Sequence, residues 1–267
     1  MPFTTANGVR TYYEVSGNGP PLLLIAGNGM DHTAFRDQVP SFAGHFRCVT
    51  YDLRGIGQSD VPEAGYTVPD MARDALALLD ALGCASAHIA GYSLGGYVVS
   101  QLLTLHPERF LSATLVAGSG RFNWDDARAR LAEQEANERE RECISRSMLF
   151  RLAPPNAPRP SEDSLKALSA TCFADTTQDR FALAALTRSR ADQAITLAAT
   201  VAVKVPTLAV VGTDDPEKAG LDALVQIRPS VKLVIINGAT HAGPRGILSR
   251  PELIAALRAF LSAHPEK

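Results

Sequence analysis

The chain has little of what marks nucleic-acid-binding, exported or membrane proteins. Its formal net charge is −2, and its arginines are interleaved with acidic residues, so no basic stripe is available to neutralise phosphates or an anionic membrane. No uncharged apolar stretch reaches the ~18 residues needed to span a bilayer. Residues 1–5 lack the charged and apolar segments of a leader. We therefore expect a soluble, cytoplasmic protein whose partners include neither nucleic acid nor a membrane.

Cysteine is also scarce. The chain has four cysteines, without a Cys-x-x-Cys pair and without histidines at metal-ligand spacing. These are Cys48, Cys84, Cys143 and Cys172. We expect buried free thiols at all four positions rather than a disulfide or a metal site.

The length of 267 residues fits one large α/β domain with an insertion, and such a domain buries roughly three quarters of its unfolded surface. Short apolar runs typical of buried strands alternate with helical periodicity in residues 1–119 and again in 201–267. Residues 120–200 show no strand pattern; they are rich in Asp, Glu and Arg, and four prolines follow in 153–160. We interpret 1–119 and 201–267 as the core and 120–200 as an inserted helical cap.

Several large apolar side chains in the cap have helical spacing, which is more typical of core packing than of a pocket lining. They are Phe122, Trp124, Met148, Phe150 and Phe173. We expect most of them to be core residues.

The most informative stretch is Gly-Tyr-Ser-Leu-Gly-Gly at 91–96. It lies between an apolar run at 87–90, which predicts a buried strand, and helical periodicity at 97–103. Gly-x-Ser-x-Gly in this position is typical of a nucleophile elbow, where glycines relieve the collision between the residues flanking a sharp turn. The pattern predicts Ser93 as a nucleophile, although alone it occurs about as often as a chance turn.

A serine hydroxyl needs a base, and the base needs a carboxylate that fixes its tautomer. His241 follows the last predicted strand, and Asp214 and Asp215 follow the strand before it. Because the carboxyl ends of parallel strands meet at one edge of a sheet, we expect these side chains to converge with Ser93 there. The residues themselves leave the choice between Asp214 and Asp215 open.

Two further loops carry polar residues. Asn28 lies between two glycines after an apolar strand, where its backbone N–H can face a ligand; an ordinary strand-to-helix turn is the alternative. Asp52 and Arg54 lie in a loop with charges of both signs. For these two we favour an ion-pairing or capping role over chemistry.

Taken together, these motifs resemble the α/β-hydrolase superfamily, specifically its esterase, lactonase and non-haem haloperoxidase branch. They are Gly-Tyr-Ser-Leu-Gly-Gly at 91–96, Asp-Leu-Arg-Gly-Ile-Gly-Gln-Ser at 52–59, Gly-Thr-Asp-Asp at 212–215 and Gly-Ala-Thr-His at 238–241. The resemblance implies a central, eight-stranded, mostly parallel sheet flanked by helices, with the inserted cap. In the family's Gly-x-x-Asp pattern the triad acid falls on Asp215 rather than on Asp214.

The resemblance also implies an oxyanion hole formed by the backbone N–H groups of Asn28 and Leu94. The chain departs from the family at Ala26, where His is common before the oxyanion loop. The implied function is hydrolysis of a small-molecule carboxylic ester or lactone through an acyl-enzyme on Ser93, without a cofactor or metal. C–C bond hydrolases, thioesterases and perhydrolases use the same triad, and a non-catalytic ligand receptor is a further alternative. The sequence carries no signal for an oligomeric state.

Overall fold

The centre of the protein is an eight-stranded sheet. The structure is a computed structural model, and it describes residues 2–120, 125–190 and 195–265. The strands are β1 (Phe3–Ala6), β2 (Val9–Ser16), β3 (Pro21–Ile25), β4 (Arg47–Tyr51), β5 (Ala87–Tyr92), β6 (Phe110–Val116), β7 (Thr207–Gly212) and β8 (Lys232–Ile236). Their order is β1-β2-β4-β3-β5-β6-β7-β8. β2 pairs antiparallel with both β1 and β4, whereas every other pair is parallel. The predicted eight-stranded, mostly parallel sheet is confirmed.

Ten α-helices lie in the described ranges. They are α1 (Val39–Phe42), α2 (Val68–Ala81), α3 (Leu94–Leu105), α4 (Asp126–Glu142), α5 (Arg146–Leu152), α6 (Glu162–Ala174), α7 (Arg180–Arg188), α8 (Leu197–Ala202), α9 (Lys218–Ile227) and α10 (Pro251–Ser262). Local signals set their ends, as α2 shows. Thr67 and Asp70 form a reciprocal capping box at its start, and Gly83, with φ +68°, follows its end.

Two apolar layers cover the two faces of the sheet. Along β3, Leu23 and Ile25 belong to one layer, whereas Leu22 and Leu24 belong to the other, as the two-residue period of a strand requires. The first layer also contains side chains of α2 and α3, and the second contains those of α10. Each fully buried Leu or Ile contributes roughly 1.5–3 kcal/mol to stability. These layers hold the strand ends, and therefore the loops that leave them, in fixed positions.

Between β6 and β7 the chain forms α4 to α8, and the described residues of this segment contain no strand. α4 packs against α5 and α7. The segment joins the rest of the protein at the 52–59 loop, where the Gly57 N–H donates to Thr177 O (2.6 Å) and the Asp179 N–H donates to Gly55 O (3.3 Å). Residues 155–161, which connect α5 and α6, are exposed. The cap boundaries at 120 and 200 stay a prediction.

The 52–59 loop is held by buried charges, as expected for a structural role. Arg54 donates from Nε and Nη2 to both carboxylate oxygens of Asp74 (2.7 and 2.6 Å). Asp52 accepts from the backbone N–H groups of His32 (2.7 Å) and Gln58 (2.8 Å). These bonds hold the 52–59 loop, which is hydrogen-bonded to the cap through Gly55 and Gly57.

The prediction of four free thiols is wrong for two of them. Cys143 and Cys172 form a disulfide across a sequence separation of 29, whereas Cys48 and Cys84 are free and buried. Cys143 ends α4 in the left-handed conformation (φ +63°), and Cys172 lies near the end of α6. The packing of two helices brings these cysteines together, and such a contact leaves no spacing signature in the sequence. No helix in the described ranges combines the length and apolar character needed to cross a bilayer.

Cysteine alkylation tests the disulfide. In denaturant without reductant, mass spectrometry should find two alkylated cysteines, and after reduction it should find four. Because the bond closes a loop in the unfolded chain, Cys172→Ser should lower the free energy of unfolding by about 3 kcal/mol. Cys84→Ser is the matched control: it removes one alkylation site in both conditions and leaves the disulfide in place. Four alkylated cysteines before reduction would contradict the bond.

Candidate active site

Ser93 lies at the turn between β5 and α3. Its backbone angles, φ +52° and ψ −113°, are strained for a residue with a side chain. The turn is held because the Ser93 N–H donates to Val116 O (2.8 Å) and the Gly96 N–H donates to Ser93 O (2.9 Å). The serine therefore stands at the carboxyl end of the sheet with the amino end of α3 directly behind it, where negative charge is stabilised.

Two glycines flank Ser93, and each is required for a different contact. A Cβ on Gly91 would lie 2.1 Å from Gly95 O, which is the predicted collision across the turn. A Cβ on Gly95 would instead lie 2.1 Å from Ile25 O at the end of β3. Gly95 thus allows the elbow to approach the strand that leads into the Asn28 loop.

His241 connects Ser93 to a carboxylate. Its Nε2 lies 3.0 Å from Ser93 Oγ, and its Nδ1 lies 3.1 Å from each carboxylate oxygen of Asp215. The Asp215 side chain is fully buried and that of His241 is 4% exposed. The structure therefore brings together the three residues that the sequence predicts as nucleophile, base and acid.

The two neighbouring aspartates have different surroundings. Asp215 Oδ1 also accepts from the Glu217 N–H (2.9 Å), which fixes the carboxylate toward His241. Asp214 lies at the surface, where its Oδ2 accepts from Arg245 Nη1 (3.1 Å). Only Asp215 has the position of a partner for His241.

Tyr92 holds the backbone of the loop that carries His241, a role that sequence reasoning missed. Its hydroxyl donates to His241 O (2.6 Å), and its ring lies 5.4 Å from the imidazole centroid. Burial, together with the charge of Asp215, raises the pKa of the Tyr92 hydroxyl, so the group stays a donor. Tyr92 occupies a variable position of Gly-x-Ser-x-Gly, which gave no signal of this contact.

Asn28 and Leu94 are the two residues expected to donate to an oxyanion, and that role stays a prediction. Both line one cavity with Ser93 and His241. No residue of the described ranges accepts a hydrogen bond from the backbone N–H of Asn28 or of Leu94. A Cβ on Gly27, the residue before Asn28, would lie 3.0 Å from the Tyr92 ring. The ring therefore packs closely against the start of the Asn28 loop.

Two adjoining cavities lie at this site. The inner cavity, of about 280 Å³, contains Ser93, and the outer cavity, of about 560 Å³, extends along α4, α5 and α6. Both are lined by Asn28, Met148, Leu152, His241 and Ala242.

Cap residues line these cavities in ways that the sequence did not indicate. Met148 lines both, so for it the less favoured prediction of a pocket role holds, whereas Phe173 is 49% exposed. Phe122 and Trp124 lie outside the described residues. Arg151 and Arg190 of the cap line the inner cavity and had no motif to mark them. Glu217, which precedes α9 in the core, lines the same cavity. Glu217 accepts from the Tyr97 hydroxyl (2.8 Å).

Comparison with known proteins shows what the chain is similar to. A family model described as the alpha/beta hydrolase fold matches residues 20–244. The chain is 32% identical over 220 residues to 3-oxoadipate enol-lactonase 1 of Acinetobacter baylyi, covering 80% of this chain and 79% of that protein. It is 36% identical over 121 residues to the putative carbamate hydrolase RutD of Azorhizobium caulinodans, covering 45% of this chain and 46% of that one. For several such curated relatives, the match spans about half of their length.

Solved structures share the fold over nearly the whole chain. A thermophilic esterase from Thermogutta terrifontis with malate bound has a TM-score of 0.82 and 23% identity, covering 99% of this chain and 98% of that one. The enol-lactonase of Burkholderia xenovorans LB400 has a TM-score of 0.77 and 23% identity, with coverages of 98% and 100%. At these identities the likeness establishes the architecture.

The contact at Gly95 can be tested by adding one methyl group. Because the new Cβ would meet the backbone of β3, Gly95→Ala should lower the free energy of unfolding by about 3 kcal/mol, measured by chemical denaturation. Gly44→Ala is the control, since a Cβ there meets no atom within 4 Å; its change should stay within about 0.5 kcal/mol. Equal stability of the two variants would show that the elbow tolerates a side chain at 95.

Proposed function

The chain belongs to the α/β-hydrolase family, and from this premise we propose that it is a serine hydrolase that cleaves a carboxylic ester or a lactone of a small molecule. The observation that carries the proposal is the hydrogen-bonded sequence Asp215, His241, Ser93 at the edge of the inner cavity. The relatives favour this bond type, because they include an enol-lactonase and a pimeloyl-[acyl-carrier protein] methyl ester esterase.

In the first half of the proposed reaction, Ser93 Oγ attacks the carbonyl carbon while His241 Nε2 takes the hydroxyl proton. Asp215 holds the imidazole so that Nε2 faces Ser93, and its charge stabilises the imidazolium. The carbonyl oxygen becomes an oxyanion that accepts from the N–H groups of Asn28 and Leu94. Each such donor contributes roughly 3 kcal/mol to the stability of the transition state.

Collapse of this intermediate breaks the bond to the alcohol oxygen, which takes the proton from His241 and leaves. The acyl group remains as an ester on Ser93. A water molecule then gives its proton to His241 and attacks the acyl carbonyl, and the second collapse returns the proton to Ser93 Oγ and releases the acid. For a lactone, the released alcohol and acid are two ends of one product.

Substrate panels separate this function from its alternatives. Thioester, peracid-forming and C–C bond reactions use the same three residues, so comparing kcat/KM on an ester and on the matching thioester distinguishes the bond type. A ligand receptor on this scaffold would bind without turnover. Labelling by a fluorophosphonate followed by a burst of product from a short-chain ester would identify a catalyst.

Removing the nucleophile is the most direct test. Ser93→Ala should reduce hydrolysis of p-nitrophenyl butyrate by at least about 10³-fold and should abolish fluorophosphonate labelling. Its Tm should stay close to that of the wild type, because the hydroxyl makes no bond needed for packing. Turnover comparable to the wild type would remove Ser93 from the mechanism.

The two aspartates provide a matched pair for the acid. Asp215→Asn should lower kcat by about 10³- to 10⁴-fold, because an amide neither fixes the needed tautomer nor stabilises an imidazolium. Asp214→Asn removes only a surface interaction with Arg245, so kcat should stay within about twofold. Equal losses in the two variants would contradict the assignment of Asp215.

A further inference from the structure

Three arginines of the cap line the two cavities at the candidate site. Arg151 and Arg190 line the inner cavity, and Arg139, from α4, lines the outer cavity. The first two are paired with carboxylates. Glu135, which is fully buried, accepts from Arg151 Nε (3.0 Å) and from Arg190 Nη1 (2.5 Å), and Glu217 accepts from Arg151 Nη1 (3.3 Å).

Arg139 differs from its two neighbours because no carboxylate of the described ranges lies within ion-pair distance of it. Its Nε is buried and has no hydrogen-bond partner there, and its Nη2 lies 3.4 Å from Met148 Sδ. Desolvation, with a smaller contribution from the charge of Arg190, lowers the pKa of Arg139 to about 10, although the charge of Glu135 acts in the opposite direction. The guanidinium is therefore still charged at neutral pH. A buried guanidinium N–H without an acceptor is costly, and with no carboxylate of the described ranges at ion-pair distance this group is open to a carboxylate from a ligand.

Two other carboxylates of this region, those of Glu138 and Asp175, accept hydrogen bonds from other residues. Glu138, adjacent on α4, accepts from Ser145 and Ser147. Asp175, on the outer cavity, accepts from Thr177 and Gln178. These donors are neutral, so both carboxylates stay charged, but neither lies within ion-pair distance of Arg139. Among the described residues that line the outer cavity, Arg139 is the Arg or Lys side chain available to a carboxylate ligand.

We propose that the natural substrate carries a carboxylate group and that Arg139 binds this carboxylate in the outer cavity while the ester or lactone carbonyl lies at Ser93. The inference rests on the proposed function and adds the substrate class to it. The two cavities share walls formed by Met148, Leu152 and His241, so one molecule can extend from one into the other. Since Met148 and Leu152 are apolar, the part of the substrate between its two polar ends is a short hydrocarbon chain.

The test compares two esters with the same carbon chain: monomethyl adipate, which has a free carboxylate at one end, and dimethyl adipate, in which that carboxylate is a second, uncharged methyl ester. Methanol release by the wild type should give a kcat/KM about 10- to 100-fold higher for the monoanion, mainly through KM, because a desolvated guanidinium–carboxylate pair is strong. Arg139→Gln should remove this preference, and Arg139→Lys, which keeps a positive charge, should retain part of it. Arg141→Gln is the matched control, since Arg141 lies exposed on the same part of α4; it should keep the preference of the wild type.

Binding separates this inference from the proposed function. Calorimetric titration of monomethyl adipate into Ser93→Ala measures affinity without turnover, and adding Arg139→Gln should weaken that affinity about 10-fold or more. Hydrolysis of both esters without a preference, together with unchanged binding in the double variant, would overturn the inference and leave the hydrolase standing. Charge-dependent binding without hydrolysis of either ester would support the role of Arg139 and count against the proposed function.

Discussion

The candidate site depends on the close approach of backbone segments around Ser93. A side chain on Gly91, Gly95, Gly96 or Gly118 would lie within about 2.3 Å of a carbonyl oxygen of a neighbouring segment. The absence of these side chains lets the amino end of α3 sit directly against the ends of β3, β5 and β6. Because interiors at this density do not deform continuously, the relative positions of Ser93 and the Asn28 loop are set by the backbone and not by adjustable side chains.

Strand order converts this local packing into a complete site. β3, β5, β6, β7 and β8 are consecutive parallel neighbours, so the loops that follow them leave the same edge of the sheet. Asn28 follows β3, Ser93 follows β5, Asp215 follows β7 and His241 follows β8. The cap helices leave the sheet after β6, between the strands that carry Ser93 and Asp215, and so their side chains reach the cavity over that edge.

Features encoded by neighbouring residues were predictable from the sequence. Asn-Gly is typical of a two-residue hairpin turn, and Asn7 and Gly8 form the turn between β1 and β2 with positive φ at both residues. The nucleophile elbow and the position of His241 were likewise predicted from short stretches of neighbouring residues. Three features were not predicted, because they depend on how distant segments pack. They are the disulfide, the contact of Tyr92 with His241, and the arginines that line the cavities. Arg190 and Glu135, for example, lie 55 residues apart and carry no shared motif.

The position of the disulfide has a consequence for limited proteolysis. Cys143 and Cys172 bracket segment 155–161, an exposed connection between helices of the kind that proteases cleave. A single cleavage there divides the polypeptide into two pieces that remain covalently linked through sulfur. The nicked molecule therefore keeps α5 and α6 tethered to each other, and the fragments separate on a denaturing gel only after the sulfur–sulfur bond is reduced.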